Sequence, residues 1–466
     1  MHRVMCLFLL SWLLLGSLFL VGCGGSSTTR MATVNVSVSD PPTCAAPKGP
    51  YAHVYVTITD VLIHQSSGAN ANDSGWVDLT PNLKNSPAQV DMLGLADSQC
   101  FLAMLGSAGI PAGTYQQIRI ILAPNNASVS GNKCGPTANC VMLTSSPTTP
   151  QPLLLSSEAK TGIKIPSGQI AGGRFTVAAG ETKDLNIDFN ACASIVVQGN
   201  GQYRLKPVLH AGEISTASAS VSGTVIDGGT TLPVVSGNTV VALEQKDSFG
   251  VDRVIMETVA AANGTFVFCP VPAGTYDLVV TSINGVGTTY AATVITGVQP
   301  GAGLGNVTLT PAALPASISG QLTSSTGSAA TAVDLSLSAL QPITVNSATV
   351  LITVPLAQQS SSTLSLATEV DVSCPVNTDC VSYTLAVPAA NPSVGAFVAG
   401  NQLPAPPAGG AVSYTVDANA LVPGSAGVLD CNPSNLQTNN TVGSTPLTVL
   451  PGGPVTAATL AFTGCQ

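Results

Sequence analysis

Charge is what this 466-residue chain lacks most. Asp, Glu, Lys and Arg make up 8% of it, against roughly a quarter in ordinary soluble domains. With 14 Lys plus Arg against 23 Asp plus Glu, there is no basic surface for nucleic acid. Aromatic residues reach 4%, too few for a strong glycan binder that stacks sugars on exposed rings. Helical periodicity is nearly missing, with one short stretch, Asp97 to Leu105, reading as a helix or turn. There is no G-x-S-x-G elbow, H-E-x-x-H, phosphate loop or Asp-rich calcium loop. Gly106-Ser107-Ala108-Gly109 has the wrong spacing for an elbow and reads as a turn. Gly301, Gly303 and Gly305 precede a strand, not a helix, and read as an inter-strand turn. An enzyme is therefore not expected, nor a cofactor. What fills the chain is 45% hydrophobic residues, 46 Gly and 33 Pro, with many Ser, Thr and Val. That is apolar enough to build cores, and the length suits about three domains.

The first residues set a compartment. Arg3 is a basic start, Val4 to Val21 is an apolar run, and Leu20-Val21-Gly22-Cys23 leads into Gly24-Gly25-Ser26-Ser27. That order describes a secretory signal, with no basic stop-transfer cluster after it. The tetrad resembles the bacterial lipoprotein box, which implies that Cys23 receives lipid and residues 1–22 are removed. Several acyl chains give stable anchoring where one is marginal. By the same resemblance Gly24, in place of the Asp that the lipoprotein family links to inner-membrane retention, implies the outer membrane. Residues 23–32 then form a lipidated polar tether, and the expected location is the cell envelope.

Of the 12 Cys, Cys6 leaves with the signal and Cys23 takes lipid; the even remainder suggests disulfides. Cys134 and Cys140 flank a Gly-Pro turn, Cys374 and Cys380 a Pro-containing loop of the same length, and both read as local staples. Cys431 with Cys465, and two of Cys44, Cys100 and Cys192, are candidate long-range bridges. Zinc is not expected, because no C-x-x-C pair occurs and His53, His64 and His210 stand far from the paired cysteines.

From Thr33 the period is two. Val34, Val36 and Val38 alternate with Asn35, Ser37 and Ser39; Val54, Val56 and Ile58 with Tyr55, Thr57 and Thr59; Leu185, Ile187 and Phe189 with Asn186 and Asp188. Each reads as a strand with one face to a core and one to water. Ala219-Ser220-Val221-Ser222-Gly223-Thr224-Val225 returns 97 residues later as Ala316-Ser317-Ile318-Ser319-Gly320-Gln321-Leu322, the spacing of one small sandwich. Pro111-Ala112-Gly113-Thr114-Tyr115 is repeated as Pro272-Ala273-Gly274-Thr275-Tyr276. The third copy keeps Val387-Pro388-Ala389 but has Ala390 where the others have Gly. The expectation is an all-β chain of three sandwich domains in series, immunoglobulin- or transthyretin-like, at 33–214, 215–311 and 312–466.

Two family resemblances follow. The second unit, with Val221-Ser222-Gly223-Thr224-Val225, Asn263-Gly264-Thr265-Phe266 and Val271 to Tyr276, resembles the carboxypeptidase regulatory-like or transthyretin-like domain, a seven-stranded sandwich. The first resembles the domain of unknown function 4382 family of bacterial envelope lipoproteins. That likeness is carried by Val54 to Val61, Gly75-Trp76-Val77-Asp78-Leu79, Pro111 to Ile121, Gly162 to Pro166, Leu185 to Cys192 and Leu205-Lys206-Pro207-Val208. It implies a β fold and an envelope location, and no reaction.

Candidate chemistry is thin. Asp40, His53, Asp60 and His64 come nearest to a metal or acid–base cluster, but read better as solvent-facing groups at strand ends. His210 reads as surface. Tyr51, Tyr55 and Trp76 are the weak candidates for a sugar site. The expectation is an envelope lipoprotein with a non-catalytic structural or binding role, held to a membrane by its lipid and facing an envelope polysaccharide or surface protein. A carbohydrate-binding accessory protein is the alternative.

Overall fold

The computed structural model describes residues 31–40, 50–95, 102–155, 158–191, 193–197, 201–214, 219–234, 239–247, 249–283, 289–356, 362–398, 410–422, 430–438 and 446–465. Apart from two single-turn 3-10 helices, Ser167–Gln169 and Ala171–Gly173, its regular elements are strands. Among the described residues no helix is long and apolar enough to cross a membrane. Cys23, Cys44, Cys100 and Cys192 lie outside the described residues.

In the first unit one sheet orders Leu209–Ile214, Thr182–Phe189, Met31–Ser39 and Ala103–Pro111. The second is built on the long strand Tyr51–His64, which pairs along its length with Cys140–Leu143, Ala88–Asp91, Gln117–Leu122 and Val77–Asp78. Val34, Val36, Val38, Leu185, Ile187 and Phe189 are fully buried between the sheets. The opposite face departs from the expected wet one. Ser37, Ser39, Asn186 and Asp188 are buried as well, and the parallel register sets Asn35 beside Asp184, Ser37 beside Asn186 and Ser39 beside Asp188. Each pair is hydrogen-bonded, at 2.7, 3.1 and 3.0 Å. Residues 103–105 are strand, correcting the helix reading: Met104 is exposed and Leu105 buried, the alternation of an edge paired to Met31–Ser39. Residues 97–101 lie outside the described residues. Gly106 to Gly109 lie inside that same strand and not in a turn.

The sequence repeat is a repeat of topology. Val221–Asp227 pairs antiparallel with Thr265–Phe268 and parallel with Gly303–Leu309. Its copy Ala316–Ser324 pairs antiparallel with Asp379–Val387 and parallel with Pro454–Thr456 and Leu460–Phe462. Facing these, Thr239–Lys246 and Asp334–Val345 are the central strands of the second layer.

The second layers of the two later units fuse. Val251–Val259 continues into the third unit through a parallel pairing of Val251 with Leu351 and Asp252 with Ile352. At the far edge, Ser393–Ala396 of the third unit pairs parallel with Thr293–Val298 of the second. Eleven strands thus form one sheet, and strands of the third unit cover both edges of the second, which would otherwise present unpaired backbone. Val279 and Val294 of the second unit belong to the third unit's core, while Ala171 of the first joins the second's.

A tyrosine fixes the corner of each unit. Tyr115 donates to Pro111 O and Tyr276 to Pro272 O, each at 2.7 Å, a device like the tyrosine corner of immunoglobulin sandwiches. In the third unit Tyr414 donates to Pro388 O at 2.7 Å across 26 residues. The excursion between them carries Ser393–Ala396, the strand that clasps the second unit, and this is why the Gly-Thr-Tyr continuation is missing after Ala389.

Candidate functional site

The nearest approach to a catalytic or metal cluster is spread along the strand Tyr51–His64. His53 Nδ1 sits 2.7 Å from Asp91 Oδ2 and the ring stacks on Tyr55 with centroids 5.6 Å apart. His64, at the other end, accepts from the Ser66 N–H at 2.9 Å and donates to Ser74 O at 3.1 Å. Asp60 and Asp78 share Lys84, at 3.3 and 2.8 Å. The four residues do not converge, and among the described residues no three metal-ligating side chains could hold an ion together. Two of them are not solvent-facing: Asp40 and Asp60 are buried. His210 is buried too, not surface. Burial holds its imidazole down at about 4, so it is neutral at physiological pH.

The candidate sugar residues are equally dispersed. Tyr51 is buried edge-on against Tyr203. Trp76 packs on His64, nine residues from Tyr55 along an extended strand and so about 30 Å away. The Trp76 ring lies between His64, at 5.0 Å, and the Arg119 guanidinium, at 5.0 Å, while its indole N–H donates to Asn70 O at 2.8 Å. Arg119 is itself held by Gln117 Oε1, Thr161 O and Ala69 O. These contacts fasten the loop before Trp76 onto the sheet.

Disulfides join Cys134 to Cys140, Cys374 to Cys380 and Cys431 to Cys465. Cys269 is disulfide-bonded as well, a role that its sequence context left unassigned.

What the sequence did not announce is the chemistry of the seams between units. Glu257, on Val251–Val259, accepts from Asn190 Nδ2 of the first unit at 2.6 Å and from the Ser362 N–H of the third at 2.7 Å. One carboxyl thereby ties all three units. Beside it, burial and the Glu257 charge raise Asp188 to about 7. Burial likewise raises Asp40, against the lowering effect of the Ala191 N–H. Between the second and third units Glu244 accepts from the Thr353 N–H at 3.0 Å, and Arg253 makes a forked pair with Asp417 at 2.6 and 3.3 Å. Burial and neighbouring carboxylates raise Glu244, and raise Asp252 to about 7. Between the first and third, Arg204 pairs with Asp334 at 2.7 Å. The buried Lys206 ammonium donates to Leu335 O and, at 3.4 Å, to Ser336 Oγ. Burial lowers Lys206 to about 7. Each of these residues looks like an ordinary strand polar position in sequence, because only the packing of one unit on another takes it out of water.

Along the first–third seam a cleft of about 400 Å³ opens, lined among others by Val196, Val197, Arg204, Leu366, Val370 and Val381. Val370, Val372 and Val376, around the Cys374–Cys380 staple, are 85, 104 and 89% exposed.

None of the curated proteins matches the chain. Among solved structures it is similar to the Bacillus anthracis TIE protein, at 9% identity and a TM-score of 0.16, over 92% of this chain and half of that one. It is also similar to the shaft pilin SpaA from Lactobacillus rhamnosus GG, at 8% identity and a TM-score of 0.18, over 61% of this chain and 99% of that one. The full-length major pilin SpaD from Corynebacterium diphtheriae aligns at 9% identity and a TM-score of 0.16, over 50 and 65% of the two chains. Residues 31–207, which hold the first sandwich apart from its last strand, match the family described as Domain of unknown function (DUF4382).

Proposed function

We propose that the protein is a bacterial cell-envelope lipoprotein, anchored to the outer membrane through Cys23, with a non-catalytic structural role at the surface. Residues 31–207 are in this reading the family's domain, and the second unit is a carboxypeptidase regulatory-like sandwich. The observation that carries the structural role is the interlock: a sheet shared by the second and third units, and one buried Glu257 bonded into both neighbours. Such seams resist relative motion, whereas units in series with small polar contacts move freely by default. The cleft beside the exposed valines is the place for a surface-protein partner. It fits a polysaccharide less well, because its described lining residues include no aromatic ring.

Fractionation of the producing cells tests the anchor. The native chain partitions with membranes and carries acyl mass on Cys23, and Cys23→Ala moves it to the soluble envelope fraction. A membrane-bound Cys23→Ala chain, or a native chain retaining residues 1–22, overturns the reading.

A further inference from the structure

We propose that the joint of the three units is a proton-operated clasp, closed while Asp188 and Asp40 are neutral and loosened when they are charged. The geometry is that of a site built to hold few negative charges. Glu257 has a donor on each oxygen, Asn190 and the Ser362 N–H, and so is better equipped than its neighbours to stay ionised. Asp188 has one donor, the Ser39 hydroxyl at 3.0 Å; its Oδ2 is buried with no hydrogen-bond partner. Asp40 is alike, with the Ala191 N–H at 2.8 Å on Oδ1 and nothing on a buried Oδ2.

Among the described residues, the groups around them add no cation. From its own strand Asp188 is flanked by Asn186, whose amide donates to Ser39 at 2.8 Å, and by Asn190. Across the antiparallel register stands His210, buried and neutral. The charges that bear on the pair are carboxylates: Glu257 on Asp188, and Asp188 with Asp91 on Asp40. Asp91 is engaged by His53. Ionising both acids puts like charges side by side in a seam that excludes water, and the relief is to open the seam and let water in.

The sign follows from linkage. Both carboxyls bind protons more tightly in the closed joint than in an open one, where they titrate near the ordinary aspartate value. The closed form is therefore fully favoured at low pH. It loses ground as pH rises above about 4, with Asp188 contributing its loss up to about 7.

Hydrogen exchange of the full mature chain, corrected for intrinsic rates, reads the joint in peptides covering residues 186–191 and 255–260. Protection there falls on the order of 10- to 100-fold between pH 5 and pH 8, while the core strand Tyr51–His64 stays unchanged. Asp188→Asn, which keeps the oxygen that accepts from Ser39 and cannot ionise, diminishes that dependence and leaves the share that belongs to Asp40. It leaves untouched the pH response of residues 244–254, where Glu244 and Asp252 belong to another seam. Wild-type protection at the joint that does not change with pH overturns the proposal without recourse to any variant. So does an Asp188→Asn chain with an undiminished pH response. Loss of the anchor at Cys23 would leave both measurements as they are, so failure of the proposed function and failure of the clasp are separately visible.

Discussion

Removing one oxygen from Tyr414 should loosen the third unit's grip on the second. The Tyr414 ring is 1% exposed and its hydroxyl donates to Pro388 O at 2.7 Å. Tyr414→Phe keeps the ring packing, so the loss is the hydrogen bond and the stranding of a buried carbonyl, together about 1–3 kcal/mol. The same arithmetic applies to Tyr276→Phe, whose acceptor Pro272 is four residues away. The two differ in what the bond closes. Tyr276 closes a local turn, whereas Tyr414 gathers the excursion that carries Ser393–Ala396, the strand paired to Thr293–Val298. Both variants should lower the unfolding midpoint in urea by similar amounts. Only Tyr414→Phe should speed amide exchange in residues 393–396 and 293–298, by roughly fivefold or more at 1 kcal/mol. Equal exchange at those residues in the two variants refutes the idea that the corner holds the clasping strand. A stability loss of less than about 0.5 kcal/mol refutes the hydrogen-bond ledger itself.

Further outcomes follow from single contacts. A Cβ at Gly212 would sit 2.6 Å from Pro272 and 2.9 Å from Ala171. Gly212→Ala should therefore pry the first and second units apart at a cost of about 1–3 kcal/mol, seen as unfolding that separates into two transitions. Replacing both Cys431 and Cys465 by Ser opens a crosslink of sequence separation 34, worth about 4 kcal/mol in the chain-entropy account. Urea titration should show the third unit unfolding first. Lys206, held at about 7 when folded, binds fewer protons folded than unfolded above that pH, so it contributes stability that rises from pH 7 toward 10. Lys206→Met should abolish that rise in urea midpoints measured at pH 7 and pH 9; an unchanged slope would assign it to another group.

The strands were legible because their faces differ: Val34, Val36 and Val38 alternate with polar neighbours, and period-two patterning survives whatever packs outside. The repeat at Val221 and Ala316 was legible because a central strand with a Gly at a fixed place tolerates little change. At Gly320, for example, an added Cβ would meet Tyr383 at 2.5 Å. Three things were not. The strand character of Met104 and Leu105 was hidden by a bulge at Leu105, which has no partner between Gly106 opposite Val36 and Met104 opposite Ser37, and two residues carry no period. The roles of Asp40, Asp188 and His210 were hidden because the partners that bury them come from distant parts of the chain. The dispersal of Tyr51, Tyr55 and Trp76 was hidden because proximity in sequence says nothing about which end of a 14-residue strand a ring occupies.

Why a chain with so few charges spends several on its seams has a physical answer. Sheets made of Val, Ser, Thr and Ala are alike from strand to strand, so an apolar seam between them has many registers of nearly equal energy. A carboxyl that accepts from one N–H in the neighbouring unit distinguishes those registers. Sliding Glu244 away from the Thr353 N–H, Glu257 from Asn190 and Ser362, or Asp417 from Arg253 strips a buried carboxyl of a donor that this arrangement supplies, at a cost that reaches several kcal/mol for a charged one. The cost of desolvation makes each such group a weak source of stability, and the same cost makes it a strong discriminator among arrangements. Replacing Glu257 by the isosteric Gln tests the distinction. Overall stability should change little, since a neutral amide is cheaper to bury and still accepts one of the two hydrogen bonds. The joint, though, should lose its single arrangement, seen as doubled or broadened backbone resonances for residues 186–191 and 362–367 in an otherwise sharp spectrum. A variant that is much less stable and yet gives one sharp set of signals there would show that the carboxyl acts through energy alone.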